Sequence, residues 1–197
     1  MDQSSNISQN SAPKTNFWKE LVQLVLLALL IVVPFRYFVA QPFIVDGLSM
    51  YPTFDNGEYL IIDELTYHFH TPERGSPIVF KYPKDPSKYF IKRVIGLPGE
   101  KVSIKDGAVT ITNAENPDGL ELDEPYIKLA KVETGEYLVG DKQYFVMGDN
   151  RLQSSDSRIW GVLPEENVVG RPFLRVFPPS LFPGQAVYES DINSNNP

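Results

Sequence analysis

The sequence predicts a mainly β, antiparallel body preceded by one N-terminal helix. Three observations support that class. From residue 40 onward the chain runs as short stretches rich in Val, Ile, Tyr and Phe, bounded by Gly, Pro and Asp. No second long helical period follows the apolar stretch that begins at Phe17. Asp106-Gly107-Ala108, between two alternating runs, is a hairpin signal.

Residues 1–16 are rich in Ser, Asn and Gln and have no apolar period, so they read as a disordered tail. Residues 17–38, FWKELVQLVLLALLIVVPFRYF, have an uninterrupted apolar centre from Leu24 to Val33 and approach the roughly 20 residues that cross a bilayer. Trp18, Lys19, Arg36 and Tyr37 flank that centre as interfacial anchors do. The competing readings are a cleavable secretory signal and a buried core helix. A cleavable signal ends in small residues, whereas Pro34, Phe35, Arg36, Tyr37 and Phe38 follow here, which favours an uncleaved membrane anchor. Lys14 and Lys19 before the span outnumber Arg36 after it, placing the N-terminus in the cytoplasm and the chain beyond residue 40 across the membrane.

The β body extends over residues 39–184. Its strand candidates are FIV, EYLIID, PIVFKY, YFIKRVI, EKVSI, AVTIT, QYFVMG and VVGRPFLRVF. Residues 113–141 are more polar and less regular, an inserted subdomain or a long loop; with the runs beside them they suggest a small inserted β subdomain over about 100–145. FLRVFPPSLFP, at residues 173–183, either completes the core or rests on a bilayer surface. Residues 185–197 read as a second disordered tail.

Composition narrows the chemistry. The 18 Lys+Arg against 25 Asp+Glu give a net charge of -7, which argues against a nucleic-acid partner. With no cysteine, thiolate nucleophiles, disulfides and thiolate metal sites are excluded. His68 and His70 are the only histidines, and without a cluster of further ligands they read as surface residues, so no metal is expected. In so histidine-poor a chain the available neutral base for a serine nucleophile is a lysine. Ser49, in GLSMYPT, is a candidate nucleophile or simply part of a turn stiffened by Pro52. Lys92, in YFIKRVI, lies between apolar neighbours on a strand face shared with Phe90 and Val94. Desolvation there would lower its pKa, unless it snorkels to water from a strand edge.

Ser49-Met50-Tyr51-Pro52-Thr53, the run Lys92 to Glu100, and Gly148-Asp149-Asn150-Arg151 continuing through Ser154, Asp156, Ser157, Arg158, Trp160 and Gly161 resemble the motifs of bacterial type I signal peptidases. RGSPIVF, Arg74 to Phe80, is similar in position to a fourth motif. The likeness spans residues 17 to about 177 and is greatest to the short, single-anchor forms of cyanobacteria, plastids and Gram-positive bacteria. It implies a signal-peptidase type of antiparallel β fold and removal of signal peptides from exported preproteins after small-x-small sites. The catalytic domain would lie on the extracytoplasmic side of the plasma membrane, or face the thylakoid lumen. Preproteins and the lipid bilayer are the implied partners, with no cofactor, metal or nucleic acid.

Carried over by motif, the resemblance makes Ser49 the nucleophile, Lys92 its general base and Ser154 the hydroxyl that orients the amine. The Ser49 N–H would donate at the oxyanion site, where Gly47 occupies the position of the second donor and leaves that donor open. Arg93 would pair with Asp149, and Asp156 with Arg158, to shape the site. Phe43, Val45, Met50, Phe54, Phe90 and Ile91 would wall a pocket for small side chains. Gly47 departs from the serine that many relatives carry two residues before the nucleophile. Ser76 and Pro77 replace an acidic and an aliphatic residue, for which a local structural change at a strand start is expected. The rival readings are a specialised maturation protease of the same superfamily and an inactive membrane-anchored binding protein. Decayed enzymes commonly lose the nucleophile or base, and Ser49 and Lys92 are both present.

Overall fold

The computed structural model describes residues 17–38, 40–128, 131–176 and 179–181. Both tails expected to be disordered lie outside these residues. The chain divides into two compact units, residues 1–37 and 38–197.

In the first unit, helix α1 (Phe17–Phe38) covers the whole apolar stretch in 22 residues. Straight-chain and Leu-rich composition favours helix over Leu21–Leu30, and Glu20 in the first turn complements the helix dipole. Leu24, Leu26, Leu27, Leu30 and Ile31, around its circumference, are all exposed. Among the residues whose side chains are described, which reach Val32 in this helix, no helix is long and apolar enough to cross a membrane.

The second unit is mainly antiparallel β. Its described residues form twelve strands: β1 (Ala40–Ile44), β2 (Tyr59–Asp63), β3 (Pro77–Tyr82), β4 (Asp85–Gly96), β5 (Lys101–Lys105), β6 (Ala108–Thr112), β7 (Leu120–Glu121), β8 (Gly135–Leu138), β9 (Gln143–Met147), β10 (Leu163–Pro164), β11 (Val168–Arg175) and β12 (Ser180–Leu181). The larger sheet runs β1-β2-β11-β3-β4-β9-β10, with β12 on β11; the smaller runs β7-β6-β5-β8. One helical turn, α2 (Ser157–Trp160), follows β9 and is capped by the Asp156 side chain.

Local chemistry accounts for the turns. Asp106 and Gly107 both have positive φ, the conformation a two-residue hairpin needs between β5 and β6. Pro77 opens β3, where its missing N–H costs no ladder bond, and the Ser76 carbonyl accepts from the Val94 N–H at 2.9 Å. Residues 66–68 form a 3-10 turn, and both histidines are exposed. His68 Nδ1 lies 2.9 Å from the Glu64 carbonyl. No group of three metal-ligating side chains occurs among the described residues.

Strand β4 organises the interior because it is the longest strand and touches every core. Phe90 and Val94 pack with Ile78, Phe80, Val146 and Trp160. Ile91 packs on Val45, Met50, Phe54, Leu60 and Val79. Ile95 joins Val102, Ile111, Phe145 and Met147, so the two sheets share one of the cores. The second half of β4 is buried on both faces, and Lys92 lies in that half.

Candidate active site

Three segments converge at the centre of the second unit. The first is the turn after β1 that carries Ser49; the second is β4 with Lys92 and Arg93; the third is the loop from Gly148 to Asp156 after β9. Lys92 is 4% exposed, and its Nζ lies 2.7 Å from Ser49 Oγ and 2.9 Å from the Ile91 carbonyl. The Phe90 ring centroid is 5.3 Å from the same nitrogen. Burial lowers the Lys92 pKa to about 8, although the nearby carboxylates of Asp156 and Asp149 oppose the fall. A largely dehydrated amine of that kind is partly neutral near physiological pH and can take a proton from a hydroxyl.

The third segment is tied to the first. Asn150 donates its N–H to the Ser49 carbonyl at 3.0 Å and its side-chain Nδ2 to the Leu48 carbonyl at 3.1 Å. Gly148 permits this approach: a β-carbon there would lie 2.2 Å from Ser154 Oγ and 2.4 Å from the Ser49 carbonyl oxygen. Ser154 is buried in this crowded corner, and its hydroxyl completes no hydrogen bond. It lies close enough to Asp156 to help lower that carboxyl's pKa.

Arg93 and Asp149 form a buried, two-bond ion pair, Nε to Oδ1 at 2.8 Å and Nη2 to Oδ2 at 2.6 Å. Thr53, four residues after Ser49, donates its hydroxyl to Asp149 Oδ2 at 2.5 Å, so this pair also fixes the turn carrying Ser49. Asp156 accepts two bonds from the Arg158 guanidinium, one from the Arg158 N–H and one from the Gly148 N–H. Burial raises the Asp156 pKa, but these donors and the Arg158 charge outweigh it and hold the carboxyl below its ordinary range.

A cleft of about 310 Å³ opens beside Ser49 and Lys92. Of the six residues expected to wall it, Phe43, Val45, Phe90 and Ile91 do so. Met50 and Phe54 do not: at 1% and 0% exposure they are core, packed under the turn against Leu60 and Ile62. Apolar identity could not separate wall from core. The sequence reading missed Tyr89, Val79 and Leu60 on the apolar wall, and Gln153 and Ser155 on the rim. The Tyr89 ring meets that of Phe43 at 5.2 Å between centroids, edge to face.

The Gly47 N–H donates to Asn56 Oδ1 at 2.7 Å. Among the described residues no acceptor takes the Ser49 N–H.

The site is thus a serine hydroxyl held against a buried amine at the edge of an apolar cleft in an antiparallel β body. The chain belongs to the signal peptidase family, peptidase S26, whose family model matches residues 18–177. It is 40% identical over 176 residues to probable signal peptidase I-1 of Synechocystis sp., covering 83% of this chain and 85% of that protein. It is 34% identical to signal peptidase I T of Bacillus subtilis, covering 90% and 94% respectively. Its identity to thylakoidal processing peptidase 1 of Arabidopsis thaliana is 35%, over 74% of this chain and 44% of that protein.

Proposed function

We propose that the protein removes N-terminal signal peptides from exported preproteins, with Ser49 as nucleophile and Lys92 as general base. The observation that carries this reading is the 2.7 Å contact between Ser49 Oγ and a Lys92 amine whose pKa burial lowers to about 8. Ser49 Oγ attacks the scissile carbonyl carbon while its proton passes to Lys92 Nζ. The resulting oxyanion accepts from the Ser49 N–H. Collapse breaks the C–N bond, and Lys92 returns the proton to the departing amine, leaving an acyl-enzyme. Lys92 then takes a proton from water as its oxygen attacks the ester, and on collapse the C–Oγ bond breaks and Lys92 returns the proton to Ser49 Oγ. Ser154 orients the amine: a neutral Nζ has two N–H groups, and with one on the Ile91 carbonyl the other is available to the buried Ser154 hydroxyl.

An extended substrate lies in the cleft between the edge strand β1 and the stretch of β4 from Tyr89 to Lys92, which precedes the β9 pairing at Arg93. Alternate side chains of an extended peptide face the same wall, so the residue before the scissile bond and the one two further upstream meet Val45, Phe90 and Ile91, and both must be small. Helix α1 anchors the protein, its exposed apolar side chains being suited to lipid, with the N-terminus cytoplasmic and the β body across a plasma or thylakoid membrane. The reading is tested by incubating the purified protein with a preprotein in detergent and sequencing the product's new N-terminus. Cleavage after small-x-small by wild type, abolished in Ser49→Ala, is expected; cleavage that persists in Ser49→Ala would remove Ser49 as nucleophile.

A further inference from the structure

The segment from Leu122 to Lys128 lies outside every motif that the family likeness rests on, yet it reaches the buried arginines beside the site. Leu122 roots it in the core shared by the sheets, and its N–H donates to the Val109 carbonyl at 2.9 Å. Glu124 forms an ion pair with Arg151, both side chains being almost fully buried. Tyr126 donates its hydroxyl to Glu124 Oε1 at 2.6 Å and lays its ring over Arg93, with 4.1 Å between the guanidinium carbon and the ring centroid. Glu133 makes the corresponding contact with Arg158.

Each of these arginines holds a part of the site. Arg93 follows Lys92 in β4 and carries Asp149, to which Thr53 of the nucleophile's turn is bonded. Arg151 donates Nε to the Gly148 carbonyl at 3.2 Å, and its own carbonyl accepts from Arg158. A flat guanidinium bonded in its plane to a carboxylate leaves its faces uncovered, and an aromatic ring on one face excludes water and fixes the plane. A buried Arg151 lacking an anion would draw water or swing outward, carrying the loop with Ser154 along.

We propose that Glu124 and Tyr126 are positioning residues for the Ser49–Lys92 pair, holding Arg151 and Arg93, and through them the loop at Gly148 and strand β4, in the register that keeps the hydroxyl and amine in contact. The inference rests on the Ser49/Lys92 reading. Misplacement of reacting groups by about 1 Å costs up to roughly a hundredfold in rate, so the effect belongs in kcat.

The test is steady-state cleavage of a small-x-small peptide by the full-length protein in detergent, for wild type, Tyr126→Leu, Tyr126→Phe, Glu124→Gln, Ser49→Ala and Lys92→Ala, with melting followed by circular dichroism. Tyr126→Leu and Glu124→Gln should lower kcat at least about tenfold with KM within twofold, measured below the melting transition. Tyr126→Phe, which keeps the ring, should hold kcat within about threefold of wild type. Should Tyr126→Leu not fold, Glu124→Gln, nearly isosteric, decides the matter by the same criterion. Wild-type kcat in folded Tyr126→Leu or Glu124→Gln, or a change confined to KM, would overturn the positioning role while Ser49→Ala and Lys92→Ala remain inactive. Activity in those last two variants would instead overturn the Ser49/Lys92 reading on which the proposal stands.

Discussion

Lys92 and Asp156 are both buried at the site, and no hydrogen bond joins them: the amine turns to Ser49 and Ile91, while the carboxylate is taken up by Arg158 and Gly148. The separation has a chemical use. A carboxylate bonded directly to the amine would hold it as ammonium, whereas one neutralised by Arg158 raises the Lys92 pKa without cancelling the larger effect of burial.

Burial depresses the folded-state pKa of Lys92 to about 8 from an ordinary value near 10.5, so the unfolded chain binds the extra proton more readily between those values. Lys92 therefore destabilises the fold below pH 8, and stability from this group rises as pH passes from 8 to 10.5. Lys92→Met should be more stable than wild type at pH 7 by up to about 3 kcal/mol, with the gap closing toward pH 10. Urea melts at both pH values check it.

Ser154→Ala removes a buried hydroxyl that completes no hydrogen bond. The melting temperature should stay level or rise. Turnover should fall about ten- to a hundredfold if the hydroxyl orients the amine, a smaller loss than in Ser49→Ala. Unchanged kinetics would remove Ser154 from the site.

Asp149→Ala leaves the buried Arg93 charge without its two-bond partner and should cost about 3–5 kcal/mol of stability, read by denaturant titration. A loss below 1 kcal/mol would mean that water or another anion replaces the carboxylate.

Met50 and Phe54 separate wall from core experimentally. Phe54→Ala should destabilise by about 3–5 kcal/mol and leave peptide selectivity unchanged, because the ring packs beneath the turn. Ile91→Ala, on the wall itself, should raise cleavage of peptides with valine before the scissile bond relative to alanine. A peptide series varied at that position distinguishes the two.

Most strands were legible because their side chains alternate between Gly, Pro and Asp punctuation, as in Tyr59–Asp63, and because Asp106-Gly107 is a turn that few other residues can make. Short strands such as Gly135–Leu138 were not, since four residues of alternating exposure in a polar stretch carry little periodic signal. At the site, Ser49 and Lys92 stood out through the scarcity of other bases. Their contact did not, being 43 residues apart in sequence and made only by the fold. Gly47 illustrates a further limit: its N–H goes to Asn56, a pairing set by the path of the loop and not by either residue's type. Tyr126 carries no periodic signal, being a single tyrosine among polar residues in the turn after β7, and its partner Arg93 is brought to it from strand β4 only by the fold.

The central claim is that Lys92 acts as a neutral base toward Ser49, and the pH dependence of kcat/KM for a small-x-small peptide tests it most directly. Activity requires the deprotonated amine, so it should be low at pH 6, rise with a midpoint near pH 8 and level off above it while the protein stays folded. A profile flat from pH 6 to 10, or one rising only at the ordinary lysine value near 10.5, would contradict the account.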